Sequence, residues 1–595
     1  MLELQKISLM VGKEPEEQTL LHEVCAEFPA GHFAAILGPS GCGKSTLLKV
    51  IAGLTEQTLG SVHWEGRNLA EDEDLDAHEI GYVPQFSIAF EFLSVWENLE
   101  AAMRLRVGGL DADEREKRAD HILREVGLDE IADRQVRVLS GGQKRRLALA
   151  LEIVSSPALL LADEVTSGLD PKAEDEIVRL MKKISEDDNR IVLSVTHSLR
   201  HISLYDSVIV LYQGHLAYHG PSEFLYHYFN VDNPEDLFPC LAKRTAADWH
   251  RSWTKHHGAY AIKGNPAVES GPVESAAKLL DKDVFEKDVT GPGQESGPAE
   301  ESAKKQKTPC HTPGAVTQFV VLLSRRWRIF LRDRSQLMLQ LALMFGFPFL
   351  VVIFAWDGLP QIKNLSMETK TNVFQEMKEQ AMFLLQSSHV GSLVSGLVMF
   401  QVVLLTLMGS NNSAREIAGE RLIFEKEKFA GLRCSSYVAS KACFLSLLVA
   451  AQSVWMAVFV NVICHFPGDL YTQIVLLALV NGAMTAVCLG ISALMKSPEQ
   501  ASLVSVYLVG FQLPLSGAVL ALPKTIDWLT RPFIASYWSW SGFIQTMQDT
   551  RFYDVVLNVT QTPLSKIAVC IWVLTTHIIL GLFLAYTGCK HSRWE

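Results

Sequence analysis

Six stretches in the second half of the chain, 337–356, 390–409, 443–464, 474–495, 501–522 and 567–586, contain no Asp, Glu, Lys or Arg. Each is close to the ~20 residues that a helix needs to cross ~30 Å of hydrocarbon. A spanning segment must satisfy every backbone N–H and C=O internally, so these stretches are expected as helices in a bilayer. Basic residues set their direction. Arg415, Arg421, Lys426, Lys428, Arg433 and Lys441 crowd the connection between the second and third stretches, and Lys590 and Arg593 follow the sixth. Both segments read as cytoplasmic, and an even number of spans puts the amino-terminal half on the same side. The sequons at Asn364 and Asn558 fall on the outer side, where only a eukaryotic host would glycosylate them.

The first half has a different texture. With 595 residues and a mean hydropathy of +0.14, the chain is expected to hold at least two domains, one in the membrane. The formal charge of −12 argues against nucleic acid as a main partner, because that binding rests on Lys and Arg neutralising phosphates. Ten cysteines without ligand spacing read as small apolar residues in a reducing compartment. The start, Met1-Leu2-Glu3-Leu4-Gln5-Lys6, has no basic stretch leading into an apolar core, so no signal peptide is expected.

A strand-like run, His32-Phe33-Ala34-Ala35-Ile36-Leu37, enters Gly38-Pro39-Ser40-Gly41-Cys42-Gly43-Lys44-Ser45-Thr46, and the helix start Leu47-Leu48 follows. This is a phosphate-binding loop in its proper setting. The glycines let backbone N–H groups face phosphates, Lys44 supplies a point charge, and Ser45 offers a hydroxyl to Mg²⁺. Downstream, Leu139-Ser140-Gly141-Gly142-Gln143 precedes an apolar helical run, so Ser140 can cap a helix whose first amides form a second anion site. An uncharged strand, Ala158-Leu159-Leu160-Leu161-Ala162, then ends in Asp163-Glu164. Acids at the carboxyl end of a buried strand lie where α/β sheets bind ligands.

The pentapeptide at 139–143 together with the loop at 38–46 resembles the ATP-binding-cassette (ABC) ATPases. The resemblance implies an α/β P-loop ATPase fold with ATP and Mg²⁺ as cofactors. Lys44 and its loop would hold the phosphates; Ser45, Gln85 and Asp163 would hold the metal. Glu164 would be the base that polarises water, with Gln85 and His197 completing the catalytic set, and Asp170 would sit in the loop linking two ATP sites. Val165 stands where the family usually has proline, and Leu9-Met10-Val11-Gly12 lacks the usual adenine-stacking aromatic. In such proteins ATP at Lys44 of one copy is covered by Ser140, Gly141, Gly142 and Gln143 of another, so one chain supplies half of a dimer.

An ATP-binding domain placed before six spans resembles the G subfamily of half-transporters, related to type-2 exporters. The expected organisation is an ATPase domain over 1–240, a flexible low-complexity linker over 241–315, an amphipathic connecting helix over 316–336, and an all-α six-helix transmembrane domain over 337–595. The linker carries a small repeat, at 269–278 and 295–304, and is too polar to offset its ordering entropy. The connecting helix interleaves aromatics with Arg325, Arg326, Arg328 and Arg332, which would meet anionic lipid headgroups.

The implied function is ATP-driven export of an apolar or amphipathic small molecule, lipid, sterol-like or drug-like, by a homodimer or by a pair with a related half-transporter. The lack of charge in the spans disfavours a proton relay. A path between spans two and five would be lined by Phe400, Gln401, Thr406, Tyr507, Phe511 and Gln512, and the segment 516–519 stands where relatives carry an apolar gate. The alternative is a membrane ATPase that transmits force or signal without moving a solute. The expected location is a bacterial inner membrane or a eukaryotic plasma membrane, with the ATPase domain in the cytoplasm.

Overall fold

The computed structural model describes residues 1–12, 18–69, 78–86, 88–187, 189–260, 312–356, 373–517, 523–560 and 562–592. Asn364, the repeat at 269–278 and 295–304, and the gate positions 518–519 lie outside the described residues. The chain divides into two compact units: Met1–Leu48, Glu56–Glu73 and Met181–His311 form one, and Lys49–Thr55, Asp74–Leu180 and Thr312–Glu595 the other.

Strands and helices are numbered in chain order. The soluble half holds β1 (Leu2–Val11), β2 (Gln18–Phe28), β3 (Phe33–Leu37), α1 (Lys44–Ile51), β4 (Leu59–Trp64), β5 (Arg67–Asn68), β6 (Ile80–Val83), α2 (Val95–Arg106), α3 (Ala112–Glu125), α4 (Gly141–Ile153), β7 (Leu159–Asp163), α5 (Pro171–Asp187), β8 (Ile191–Val195), β9 (Ser207–Tyr212), β10 (His215–Pro221), α6 (Leu225–Phe229), α7 (Leu237–Leu241) and α8 (Ala246–His256). In the first unit, strands run in the order β5-β4-β1-β2-β10-β9-β3-β8. The antiparallel strand β2 alternates buried Val24, Ala26 and Phe28 with exposed Glu23, Cys25 and Glu27, because one face is wet. The parallel strands β3 and β8 are buried at every position, so they read as unbroken apolar runs. Helix α8 lies inside the stretch expected as linker: Trp249 and Trp253 are buried, and the ring of His250 bonds Leu216 O of β10 at 3.2 Å.

In the second unit β6 and β7 pair in parallel, with Val83 opposite Ala162. Helices α2, α3 and α4 each open on a reciprocal cap, Ser94 with Glu97, Asp111 with Glu114, and Ser140 with Gln143. The same unit contains α9 (Ala315–Arg332), α10 (Arg334–Ala355), α11 (Val373–Ser413), α12 (Arg421–Phe429), α13 (Cys434–Cys464), α14 (Leu470–Leu494), α15 (Pro498–Gln512), α16 (Lys524–Thr530), α17 (Ala535–Gln545), α18 (Arg551–Thr560) and α19 (Ile567–His591). Five helices among the described residues are long and apolar enough to cross a membrane. The stretch 501–522 departs from expectation, because its helix α15 has 15 residues and stops at Gln512. Pro514 follows in a 3-10 turn that ends at Gly517 with φ +73°, and proline cannot continue the N–H ladder. Helices α14 and α19 pack through small residues: a Cβ on Gly581 would lie 2.4 Å from the Ala486 carbonyl carbon, and one on Gly588 2.8 Å from Ala493 Cβ.

The connecting helix forms, at Ala315–Arg332, but its arginines do not all turn to headgroups. Arg325 and Arg326 are buried and pair with Glu427 and Glu416, while Arg328 and Arg332 reach Glu97. Glutamates of α2, α12 and the segment between α11 and α12 supply stronger, desolvated partners than a hydrated lipid surface does.

Candidate functional site

In the first unit, β3 delivers the chain into the phosphate loop. Gly38 has φ +152°, and a Cβ there would lie 2.3 Å from Leu211 O and 2.5 Å from Cys42 Sγ, so only glycine fits. Lys44 is buried and its Nζ donates to Gly38 O and Pro39 O, both at 2.9 Å. The ammonium is thereby held over the loop it serves. Helix α1 starts here, with Leu47 N donating to Gly43 O at 2.8 Å, which puts Ser45 and Thr46 in its first turn. Burial pushes the Cys42 thiol above its ordinary value, so this residue is an apolar filler. On the neighbouring strand β8, Val195 is in register with Ile36, and exposed His197 leaves the sheet on the same edge as the loop.

In the second unit, the parallel pair β6 and β7 carries the remaining chemistry at its carboxyl end. Asp163 closes β7 and is buried, accepting from the Tyr82 hydroxyl at 3.2 Å. Glu164 follows with φ +48°, a left-handed conformation costly for a side chain with a Cβ. Its Oε2 accepts from the Gln85 amide nitrogen at 2.8 Å. Gln85 and Glu164, far apart in sequence, thus share one hydrogen bond. Buried Val165 leaves the turn closed, with Ser167 N donating to Glu164 O at 3.0 Å.

Ser140 caps α4, accepting from Gln143 N at 3.3 Å and donating from its own N to Gln143 Oε1 at 3.0 Å. Gln143 therefore acts locally, as half of a capping box. Ser140 and Gly141 are exposed, so the positive end of α4 faces outward. Asp170 caps α5, accepting from Lys172 N and Ala173 N at 3.1 Å each. A Cβ on Gly142 would lie 3.4 Å from Ala173 Cβ, so the starts of α4 and α5 pack together.

Two neighbours escaped sequence reasoning. Tyr82 sits in a strand where a tyrosine reads as filler, yet burial and the Asp163 carboxylate raise its phenol far above the ordinary range. It therefore stays a donor. Arg145 of α4 donates to Gln85 O, tying the capped helix to the residue that holds Glu164.

Comparison with known proteins places this geometry. Residues 21–167 match the ABC transporter family and residues 317–544 the ABC-2 type transporter family. The sulfate/thiosulfate import ATP-binding protein CysA of Pectobacterium atrosepticum is 31% identical over 38% of this chain and 71% of its own length. The chain belongs to the ABC transporter family. The ABC transporter ATP-binding/permease protein Rv1747 of Mycobacterium tuberculosis is 29% identical over 86% of this chain and 54% of its own length. ABC transporter G family member 7 of Arabidopsis thaliana is 29% identical over 55% of this chain and 47% of its own length. This ABC transporter thus spans about half the length of those two relatives. It is an integral membrane protein of half-transporter order, ATP-binding domain first and ABC-2 membrane domain second.

The far end of α4 meets the membrane half of the transporter. Glu152 is buried; Arg106 of α2 holds it at 2.9 and 3.3 Å, and Lys426 of α12 at 2.7 Å. Burial pulls the Lys426 ammonium below its ordinary value despite Glu152. Burial also opposes ionisation of Glu152, but Arg106 and Lys426 hold its carboxyl below the ordinary range. Among the six residues expected to line a path, Tyr507 and Phe511 are exposed on α15. Gln401, Thr406 and Gln512 turn inward: Thr406 donates to Val403 O at 2.7 Å, and Gln512 Oε1 accepts from Ser536 N at 3.1 Å. Phe400 packs edge-on against Phe354 at 5.3 Å.

Proposed function

We propose that this ABC transporter hydrolyses ATP to export an apolar or amphipathic molecule from the cytoplasm or inner leaflet, as a dimer of half-transporters. The observation that carries the reading is α4. One end of this helix exposes the capped amides of Ser140 and Gly141, and the other buries Glu152 against Lys426 of the membrane half. A helix of 13 residues is a rod of about 20 Å. Any force on the amide end is delivered to α12.

ATP supplies the phosphoryl group to be cleaved, and Mg²⁺ the countercharge for it. The loop around Gly38 fits phosphate, since its backbone approach admits no Cβ, and the hydroxyl and carboxylate oxygens of Ser45 and Asp163 are the hard donors that Mg²⁺ prefers. Lys44 would pair with the terminal phosphates, and Gln85 would offer its carbonyl to the metal while its amide nitrogen orients Glu164. Glu164 would take the proton of the attacking water, and His197 would contact the terminal phosphate. Ser140 to Gln143 and Asp170 of a second copy would close over the nucleotide, because the exposed amides at the start of α4 can bind an anion.

An apolar or amphipathic substrate is supported by the charge-free spans and by the exposed face of α15, where Leu503, Val506, Tyr507 and Phe511 are each more than half accessible. The test is ATPase activity in liposomes with a panel of labelled apolar compounds. Accumulation that depends on ATP and is lost in Glu164→Gln supports export. Stimulated hydrolysis without accumulation of any compound supports transmission of force or signal instead.

A further inference from the structure

The acids at the end of β7 are each met by a donor from β6 or the turn after it. Tyr82 donates its hydroxyl to Asp163 Oδ2 at 3.2 Å, and Gln85 donates its amide to Glu164 Oε2 at 2.8 Å. The two strands are parallel neighbours, with Tyr82 opposite Leu161 and Val83 opposite Ala162. β6 is buried at every position, and burial alone asks only for an aromatic body at Tyr82. A hydroxyl in such a strand needs a partner, and here it meets the acid read above as a ligand of Mg²⁺.

Tyr82 is 3% exposed and Asp163 8%. The terminal torsion of an aspartate is broad, so a carboxyl group at the end of a strand turns freely unless one of its oxygens is held. A carboxylate only accepts, so the phenol is the donor, and with Oδ2 held the plane of the carboxyl group is set before a cation arrives. We propose that Tyr82 is a positioning residue of the metal site, holding Asp163 in the orientation that receives the Mg²⁺ bound with ATP. Removing an outer-shell partner of this kind weakens metal binding about 10–100-fold. The inference rests on the reading of Asp163 as a metal ligand, and the experiment separates the two.

The test uses the full-length protein in lipid nanodiscs, loaded with a non-hydrolysable ATP analogue. Mn²⁺ is titrated in and its free concentration read by EPR, and affinity for the analogue is measured separately in EDTA. Tyr82→Phe removes one oxygen and keeps the ring. It is expected to weaken Mn²⁺ binding about tenfold or more while metal-free nucleotide affinity stays at the wild-type value. A loss of packing would not produce that split. Unchanged Mn²⁺ affinity in Tyr82→Phe, with Asp163→Asn strongly impaired, overturns the positioning role alone. Unchanged Mn²⁺ affinity in Asp163→Asn overturns the reading of Asp163 and the proposal with it. An equal fall in metal-free nucleotide affinity in Tyr82→Phe shows a structural role and also overturns it. If the phenylalanine variant fails to fold, 3-fluorotyrosine in place of Tyr82 keeps the hydroxyl. Its ¹⁹F resonance should move when Mg²⁺ is added to the nucleotide-loaded protein, and a resonance indifferent to Mg²⁺ overturns the proposal.

Discussion

Glu416 is the residue on which the connecting helix is anchored to the membrane half. Its Oε1 lies 2.6 Å from Arg326 Nε and 2.9 Å from Lys441 Nζ, and its Oε2 accepts from Arg326 Nη2 at 2.7 Å. The three side chains are 5%, 7% and 4% exposed, and Lys441 also meets Glu420 at 2.5 Å. The group of four is neutral. Glu416→Gln keeps the shape but leaves two buried cations facing one carboxylate. Breaking a buried pair on one side costs about 3–5 kcal/mol, most of it the stranded charge. At roughly 1.2 °C per kcal/mol for a unit of about 400 residues, thermal unfolding in nanodiscs should fall by about 4–6 °C. The double variant Glu416→Gln/Arg326→Gln removes the surplus charge and should lie above the sum of the single losses by about 1–3 kcal/mol. A single-variant shift below about 2 °C, or strict additivity in the double, would refute a buried, charge-balanced anchor.

Three further outcomes follow from the soluble half. Glu164→Gln should bind ATP but lose turnover, measured by nucleotide binding beside phosphate release; near wild-type release would remove Glu164 from the role of base. Gly38→Ala should abolish nucleotide binding, checked by fluorescent-ATP titration, because the new methyl would meet Leu211 O at 2.3 Å. His219 is held down to about 4 by burial and by neighbouring His32, and the ordinary value of about 6.5 applies when unfolded. The unfolded state therefore takes the proton first. Stability from His219 is whole above about pH 6.5 and is lost as pH falls toward 4, roughly 2 kcal/mol by pH 5. His219→Leu should flatten that acid slope in denaturant titrations between pH 7 and 5, and an unchanged slope would assign it elsewhere.

The sequence made the ATPase motifs legible because their chemistry is local. A loop that needs glycine at Gly38, or a cap that needs Ser140 three residues before Gln143, is written in consecutive letters. The helices of the membrane half were legible for a similar reason, since absence of charge over about 20 residues has one structural meaning. Their ends were not. Pro514 cuts α15 short inside an apolar stretch, where composition outweighs a single proline. Pairwise contacts across long separations were invisible altogether: the hydrogen bond from Gln85 to Glu164, the phenol of Tyr82 on Asp163, and the arginines of α9, which sequence alone aims at lipid and the fold aims at Glu416 and Glu427.

The buried charges between α4 and α12 would make this connection transmit a shift rather than merely adhere. An apolar contact of the same area would tolerate sliding, because dispersion and burial are non-directional. Glu152 held by Arg106 on one side and Lys426 on the other fixes both distance and orientation, at 2.9 and 2.7 Å. Moving α4 without α12 would leave the Lys426 ammonium away from both water and its carboxylate, at a cost of several kcal/mol. Moving them together costs far less, so a shift imposed at Ser140 is expected to arrive at Lys426 as a shift of α12.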